Sequence, residues 1–214
     1  RMSAAFADHY GASRKARVLP NSAFFESVSA PPGKAAANGG LVIGHLSNLG
    51  RDKGVDLVLD VMRGAGGAAS RLVLAGPASD IDAENRIAEA AGEFGERFEW
   101  RGQVDETAKA AFLAEIDVFL FPTRYVHEAE PLVVLEALHA GVPVIAYGRG
   151  CIPGMVPGGA GLVVPPGDDF IGPSSAMITR WADDPDAWIE ASRAAMAGAH
   201  AAHDAAVGDL EEII

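Results

Sequence analysis

From Leu41 onward the chain repeats one unit: a short apolar run bounded by glycine or a polar turn, then a helical pattern long enough to carry the chain back. Strand-like runs fall at 41–46, 71–75, 98–101, 118–121, 142–147 and 161–164, with helical stretches at 54–63, 80–94, 106–115 and 132–140. Strands separated by helices cannot pair as hairpins. The crossovers make them parallel, and a parallel sheet needs helices over both faces. The expected fold is α/β: a doubly wound, Rossmann-like parallel sheet of about six strands. After Val164 the run Pro165-Pro166-Gly167-Asp168 ends the alternation. Only helices follow, one of them starting near Asp186 behind Asp184-Pro185.

Composition narrows the partners. A chain of 214 residues that is 49% hydrophobic and 21% charged can bury a core, and its formal net charge of -12 argues against a nucleic-acid surface, which needs clustered cations. The single cysteine, Cys151, cannot form an internal disulfide, and its setting in a glycine-rich loop reads as small packing rather than as a reactive thiol. No apolar run approaches the roughly 18 residues of a membrane span, and Arg1-Met2-Ser3-Ala4 has no apolar signal region. A cytoplasmic location is expected.

In open parallel sheets ligands bind beyond the carboxyl ends of the strands. The loop after the first strand is Ser47-Asn48-Leu49-Gly50-Arg51-Asp52-Lys53-Gly54, glycine-rich with two cations, and Gly102-Gln103-Val104, Pro122-Thr123-Arg124 and Gly148-Arg149-Gly150 follow later strands. Small and basic residues thus gather at one edge of an acidic chain, where an anion would be drawn. The segment from His127 to Ala146 adds two carboxylates. Pro131 suits the start of a helix and Gly141 its stop, which places Glu136 inside it as the only acid between Pro131 and Tyr147. Such a carboxylate needs hydrogen-bond donors, for which sugar hydroxyls serve; otherwise it points to solvent or pairs with His139. Glu128 lies just ahead of the helix, where the free N–H groups of Leu132 and Val133 favour negative charge, either as a helix-start acid or beside a ligand.

These residues carry a resemblance. Glu128, seven intervening residues, Glu136-Ala137-Leu138 and Gly141-Val142-Pro143-Val144-Ile145-Ala146 resemble the double-glutamate motif of the group 1 (family 4) retaining glycosyltransferases. In the family's order stand also Val18-Leu19-Pro20-Asn21, Arg51-Asp52-Lys53-Gly54, Phe98 to Val104, Ile116 to Thr123 and Gly161 to Asp168, so the likeness spans residues 18–170. The resemblance implies the C-terminal, donor-binding half of a two-domain GT-B enzyme. It makes Glu136 the ligand of the ribose hydroxyls, sets Glu128 against the donor sugar, and faces the amides of Ala129, Glu130, Leu132 and Val133 toward sugar and diphosphate. Lys53, with Asn48 and Arg51 beside it, would neutralise the departing diphosphate, and Gly102, Gln103 and Val104 would pass under the base. The donor would be a UDP-, GDP- or ADP-linked sugar, with no cofactor and no metal.

Two positions depart from the family pattern. Asn48 stands where an arginine is usual, which leaves Arg51 to substitute or the phosphate clamp weaker, and Gly154 stands where a glutamate is common, read as a change in local packing. The expected organisation is residues 1–38 as the tail of an N-terminal domain and linker, 39–183 as the nucleotide-sugar-binding domain, and 184–214 as C-terminal helices that pack on this domain or reach toward the preceding one. The acceptor would be held by the preceding domain, outside these residues, through which membrane attachment would also run. A sugar-nucleotide epimerase of related fold and a non-catalytic nucleotide-sugar-binding module are the competing functions. A dinucleotide fingerprint fails at Pro153, an ATPase-type phosphate loop is lacking, and a glycosidase carboxylate pair is not implied by the Glu128–Glu136 spacing. His200, His203 and Asp204 share a helical face, read as solvated rather than as a metal site.

Overall fold

The computed structural model describes residues 8–9, 11, 19–25 and 40–211. Six strands form one sheet: β1 (Leu41–Leu46), β2 (Ala69–Ala75), β3 (Phe98–Trp100), β4 (Val118–Phe121), β5 (Val144–Tyr147) and β6 (Gly161–Val164). All neighbours are parallel, in the order β3-β2-β1-β4-β5-β6. The connecting helices are α1 (Val55–Ala65), α2 (Ile81–Phe94), α3 (Glu106–Glu115), α4 (Leu132–His139) and the short α5 (Ile152–Met155), followed by α6 (Ile171–Asp183) and α7 (Pro185–Glu211). The expected doubly wound α/β fold is the one observed. Strand order reverses between β1 and β4, so the loops leaving these two strands flank the crevice where such sheets take ligands.

The pleat explains the layers. Alternate strand residues Leu41, Ile43, Leu72, Leu74, Val118, Leu120 and Ile145 pack under α1, α2, α6 and the start of α7, where Trp181 and Trp188 are buried. Their neighbours Val73, Phe119, Phe121, Val144 and Ala146 pack under α3, α4 and α5 on the other face. Helix α7 crosses between the two: Trp188 and Ala191 belong to the first core, Ala195 and Ala199 to the second. The expected elements shift by small amounts: β2 begins at Ala69, β5 at Val144 and α7 at Pro185. Val142 is instead the residue after a helix stop. Gly141 has φ 70°, its N–H donates to the Leu138 carbonyl at 3.0 Å, and that of Val142 reaches back to Ala137 at 2.9 Å.

Gly44 on β1 lies against the C-terminal end of α3. A Cβ there would come within 2.5 Å of the Ile116 side chain and 2.9 Å of the Phe112 ring. Gly44→Ala is expected to destabilise the fold by about 1–3 kcal/mol through overpacking. Guanidinium unfolding checks this: the midpoint falls with the slope unchanged, and an unshifted midpoint would refute it.

Candidate functional site

Two loops meet at the reversal point. The loop after β1 carries Lys53 and turns into α1 at Gly54, whose φ is 79° and whose missing Cβ would sit 2.3 Å from the Pro122 carbonyl oxygen at the end of β4. Only glycine permits that contact, and it sets Lys53 beside the loop that follows β4. The Lys53 ammonium donates to Glu128 Oε2 at 2.8 Å, and its Nζ lies 4.7 Å from the centroid of the Tyr125 ring. The fully buried Thr123 hydroxyl donates to the same Glu128 oxygen at 3.0 Å. Glu128 therefore sits with Lys53 and Thr123, not as a cap on the helix-start amides. The loop is held by Arg124, whose backbone N–H donates to the Asp52 carbonyl at 2.7 Å and whose guanidinium pairs with Asp56 at 2.8 Å.

Helix α4 has no side-chain cap, whereas Asp80 caps α2 and Asp105 caps α3, each at 2.8 Å. An uncapped helix start leaves the first-turn amides of Leu132 and Val133 for another acceptor. Gly150 closes the other side, its backbone so close to Glu128 and Ala129 that a Cβ would lie 2.2 Å from the Glu128 carbonyl oxygen, and the Cys151 N–H donates to the Ala129 carbonyl at 2.8 Å. Glu136 neither points to solvent nor pairs with His139. Its side chain is 16% exposed, one oxygen accepts from Lys109 on α3, and Oε2 is buried with no hydrogen-bond partner among the described residues. Burial pulls the Lys109 ammonium down, but hydrogen bonds to Glu136 and Glu106 outweigh it and hold the group above its ordinary range.

The remaining expected residues spread along this edge. Gly102 accepts the Gly76 N–H at 2.6 Å and has φ 60°, Gln103 is exposed, and Val104 is half-buried against the second core. Asn48 and Arg51 are exposed, and the Arg51 carbonyl accepts from Arg124 at 3.1 Å. Glu130 is turned away from the crevice: its carboxylate accepts the Asn21 backbone N–H at 2.9 Å. Gly154 faces open space, so its lack of a side chain is not a matter of packing. The solvated-face reading of His200 and His203 is overturned: both rings pack on His139, at 6.0 and 6.5 Å between centroids, and His203 donates to the Ser22 carbonyl at 2.9 Å. His139 also stacks on Phe25 at 5.4 Å. Among the described residues no group of three or more His, Cys, Asp or Glu is placed to hold a metal ion, and no helix is long and apolar enough to cross a membrane.

Sequence reasoning missed Lys109, Thr123 and His45. His45 is the only titratable residue of β1, with Ser47 two residues on and so on the same face, which is the one signal it offers. Its Nδ1–H donates to the Leu120 carbonyl at 2.8 Å, so Nε2 accepts from the Ser47 hydroxyl at 2.8 Å. Complete burial pushes the ring down to about 4; the bond to Leu120 opposes this and Lys53 adds to it. Between about pH 6.5 and 4 the unfolded chain takes up a proton that folded His45 refuses, so this contribution is whole above 6.5 and is lost as pH falls. The folded chain is expected to lose about 3 kcal/mol more over that window than His45→Asn. Urea titrations at both ends check it; equal losses would refute it.

The chain belongs to the group 1 glycosyltransferases: the family model described as "Glycosyl transferases group 1" matches residues 40–191. No curated protein matches in sequence. Among solved structures, sucrose-phosphate synthase from Thermosynechococcus elongatus is similar with a TM-score of 0.72 and 24% identity, covering 98% of this chain and 55% of that one. The Anabaena protein Alr3699/HepE, in complex with UDP and glucose, is similar with a TM-score of 0.67 and 21% identity over 82% of this chain and 48% of that one. TarM of S. aureus, in a complex that includes UDP, gives 0.69 and 15%, over 88% and 37%. The fold is that of the GT-B glycosyltransferases. The chain spans about half, or less, of the length of these proteins.

Proposed function

We propose that the chain is the donor-binding half of a glycosyltransferase that moves a sugar from a nucleoside diphosphate to an acceptor with retention of anomeric configuration. The observation that carries this reading is the arrangement along α4: the Lys53–Glu128 pair before its uncapped start, and within it Glu136 with one buried oxygen unpartnered. A nucleoside diphosphate sugar has the matching parts in the matching order, a sugar, an anionic diphosphate and a ribose diol. UDP in the complex of the Anabaena protein makes a uridine donor the first to test, with GDP and ADP beside it.

In this reading the glycosidic C–O bond to the diphosphate breaks, and the electron pair stays on the diphosphate oxygen. The acceptor hydroxyl attacks the anomeric carbon from the same face and passes its proton to the departing phosphate. Charge grows on the leaving oxygen, where Lys53 and the amides of Leu132 and Val133 stabilise it. An ammonium has three hydrogens, so the bond to Glu128 leaves two for phosphate oxygens. Glu128, held by Lys53 and Thr123, lies against the donor sugar. Arg51 supplies the second cation of the loop, with Asn48 as a hydrogen-bonding partner, and residues 102–104 pass under the base. Glu130 contributes its backbone, since its carboxylate is taken by Asn21. Residues 1–38 are the tail and linker of an acceptor-binding domain, 39–183 the donor domain and 184–214 the closing helices. Residues 19–25 dock on α7, where Ser22 donates to the Ala202 carbonyl at 3.3 Å. No metal or cofactor is invoked.

Calorimetry with UDP, GDP and ADP is expected to show binding of at least one. Lys53→Ala should weaken it by about tenfold or more, the worth of a charge-assisted hydrogen bond to phosphate. Absence of binding for all three nucleotides would sink the donor-site reading. Robust sugar transfer by these 214 residues alone would overturn the half-enzyme reading.

A further inference from the structure

Helix α3 begins directly after the loop Gly102–Asp105 and is capped by Asp105. One turn in, Lys109 extends across to α4. Its ammonium meets two carboxylates of different character. Glu106 is on the same helix and its side chain is 89% exposed, so that pair is solvated and weak. Glu136 comes from 27 residues away and its side chain is 16% exposed, as is a similar 19% of Lys109. A bond between two largely buried charges constrains both, because neither has water to turn to.

The bond takes one oxygen of Glu136 only. The other, Oε2, is buried and has no partner among the described residues, so a hydroxyl donor reaching it would meet a buried acceptor. A carboxylate free to rotate would present either oxygen in turn. One fixed by an ammonium presents the same oxygen every time, and the fixing group stands on the helix that the base loop leads into.

We infer that Lys109 is the positioning residue of the ribose subsite: its ammonium fixes the Glu136 carboxylate so that the unpartnered oxygen is set for the ribose diol, and it ties that carboxylate to the helix behind the base loop. The inference rests on the reading that Glu136 receives ribose hydroxyls. It assigns Lys109 no contact with the nucleotide, only the orientation of the group that makes one. An arginine keeps the charge and the donors at this position, whereas a methionine keeps the apolar stem and loses the bond.

The test is calorimetry on the whole chain with UDP, or with whichever of GDP and ADP binds better, alongside its 2′,3′-dideoxy analogue. Lys109→Met is expected to weaken the ribonucleotide about tenfold and to leave the dideoxy analogue as in the unaltered chain, while Lys109→Arg restores most of the difference. Melting temperatures of both variants accompany the titrations, because a merely structural loss lowers both affinities together. Equal loss for the two nucleotides, or no loss for either, overturns the inference. Glu136→Ala separates it from its foundation: ribose-selective loss there but not in Lys109→Met refutes the role of Lys109 alone, whereas no ribose-selective loss in Glu136→Ala refutes both.

Discussion

The seam between β1 and β4 is the constraint on which the site depends. It is short, with Ile43 opposite Val118 and Gly44 opposite Phe119, and it is extended by one side chain. The Asp117 carboxylate accepts the Val42 N–H at 2.7 Å, the Asp117 N–H donates to the Val42 carbonyl at 2.8 Å, and the Trp188 indole N–H donates to the Asp117 carbonyl at 2.9 Å. Helix α7 thereby braces the junction at the end opposite the site. Because the strand order reverses here, a residue after β1 and one after β4 become neighbours although 75 positions separate them. Everything specific to the crevice follows: Gly54 against Pro122, then Lys53 against Glu128, then the exposed start of α4.

The electrostatics of the crevice are local and do not follow from the net charge. A chain at -12 places its relevant cations in pairs with acids that are themselves part of the site, Lys53 with Glu128 and Lys109 with Glu136. Partial burial makes these pairs firmer than surface salt bridges such as that of Arg63 with Glu93, where both side chains are 43% exposed. Beneath them His45 stays neutral, locked by two hydrogen bonds, so the floor under Lys53 adds no second positive charge at neutral pH.

Much of the fold was legible because periodicity reports on burial. The expected bounds of β1, β4, β6 and α3 agree with the structure, each being a run bounded on at least one side by a glycine, a proline or a capping acid. The motif residues of the candidate site were picked out for a different reason, their order along the chain. What was not legible were partners across the fold. Lys109 has an acid three positions away in Glu106, and no pattern in the sequence announces that it reaches Glu136. The same holds for Glu130, which stands among site residues in sequence and yet turns to Asn21. His200 and His203 looked solvated because the residue that covers them, His139, ends another helix.

The unpartnered oxygen of Glu136 has a thermodynamic meaning for the chain as a whole. Evolution toward stability alone would remove it, since an apolar side chain of similar size on α4 would avoid both the desolvation of the carboxylate and the need for a lysine to face it. That the buried acid stands in the middle of a helix otherwise lined with Leu135, Ala137 and Leu138 places this helix away from its stability optimum. A ligand whose hydroxyl met this oxygen, as proposed above, would bind only the folded state and so would stabilise the fold by mass action.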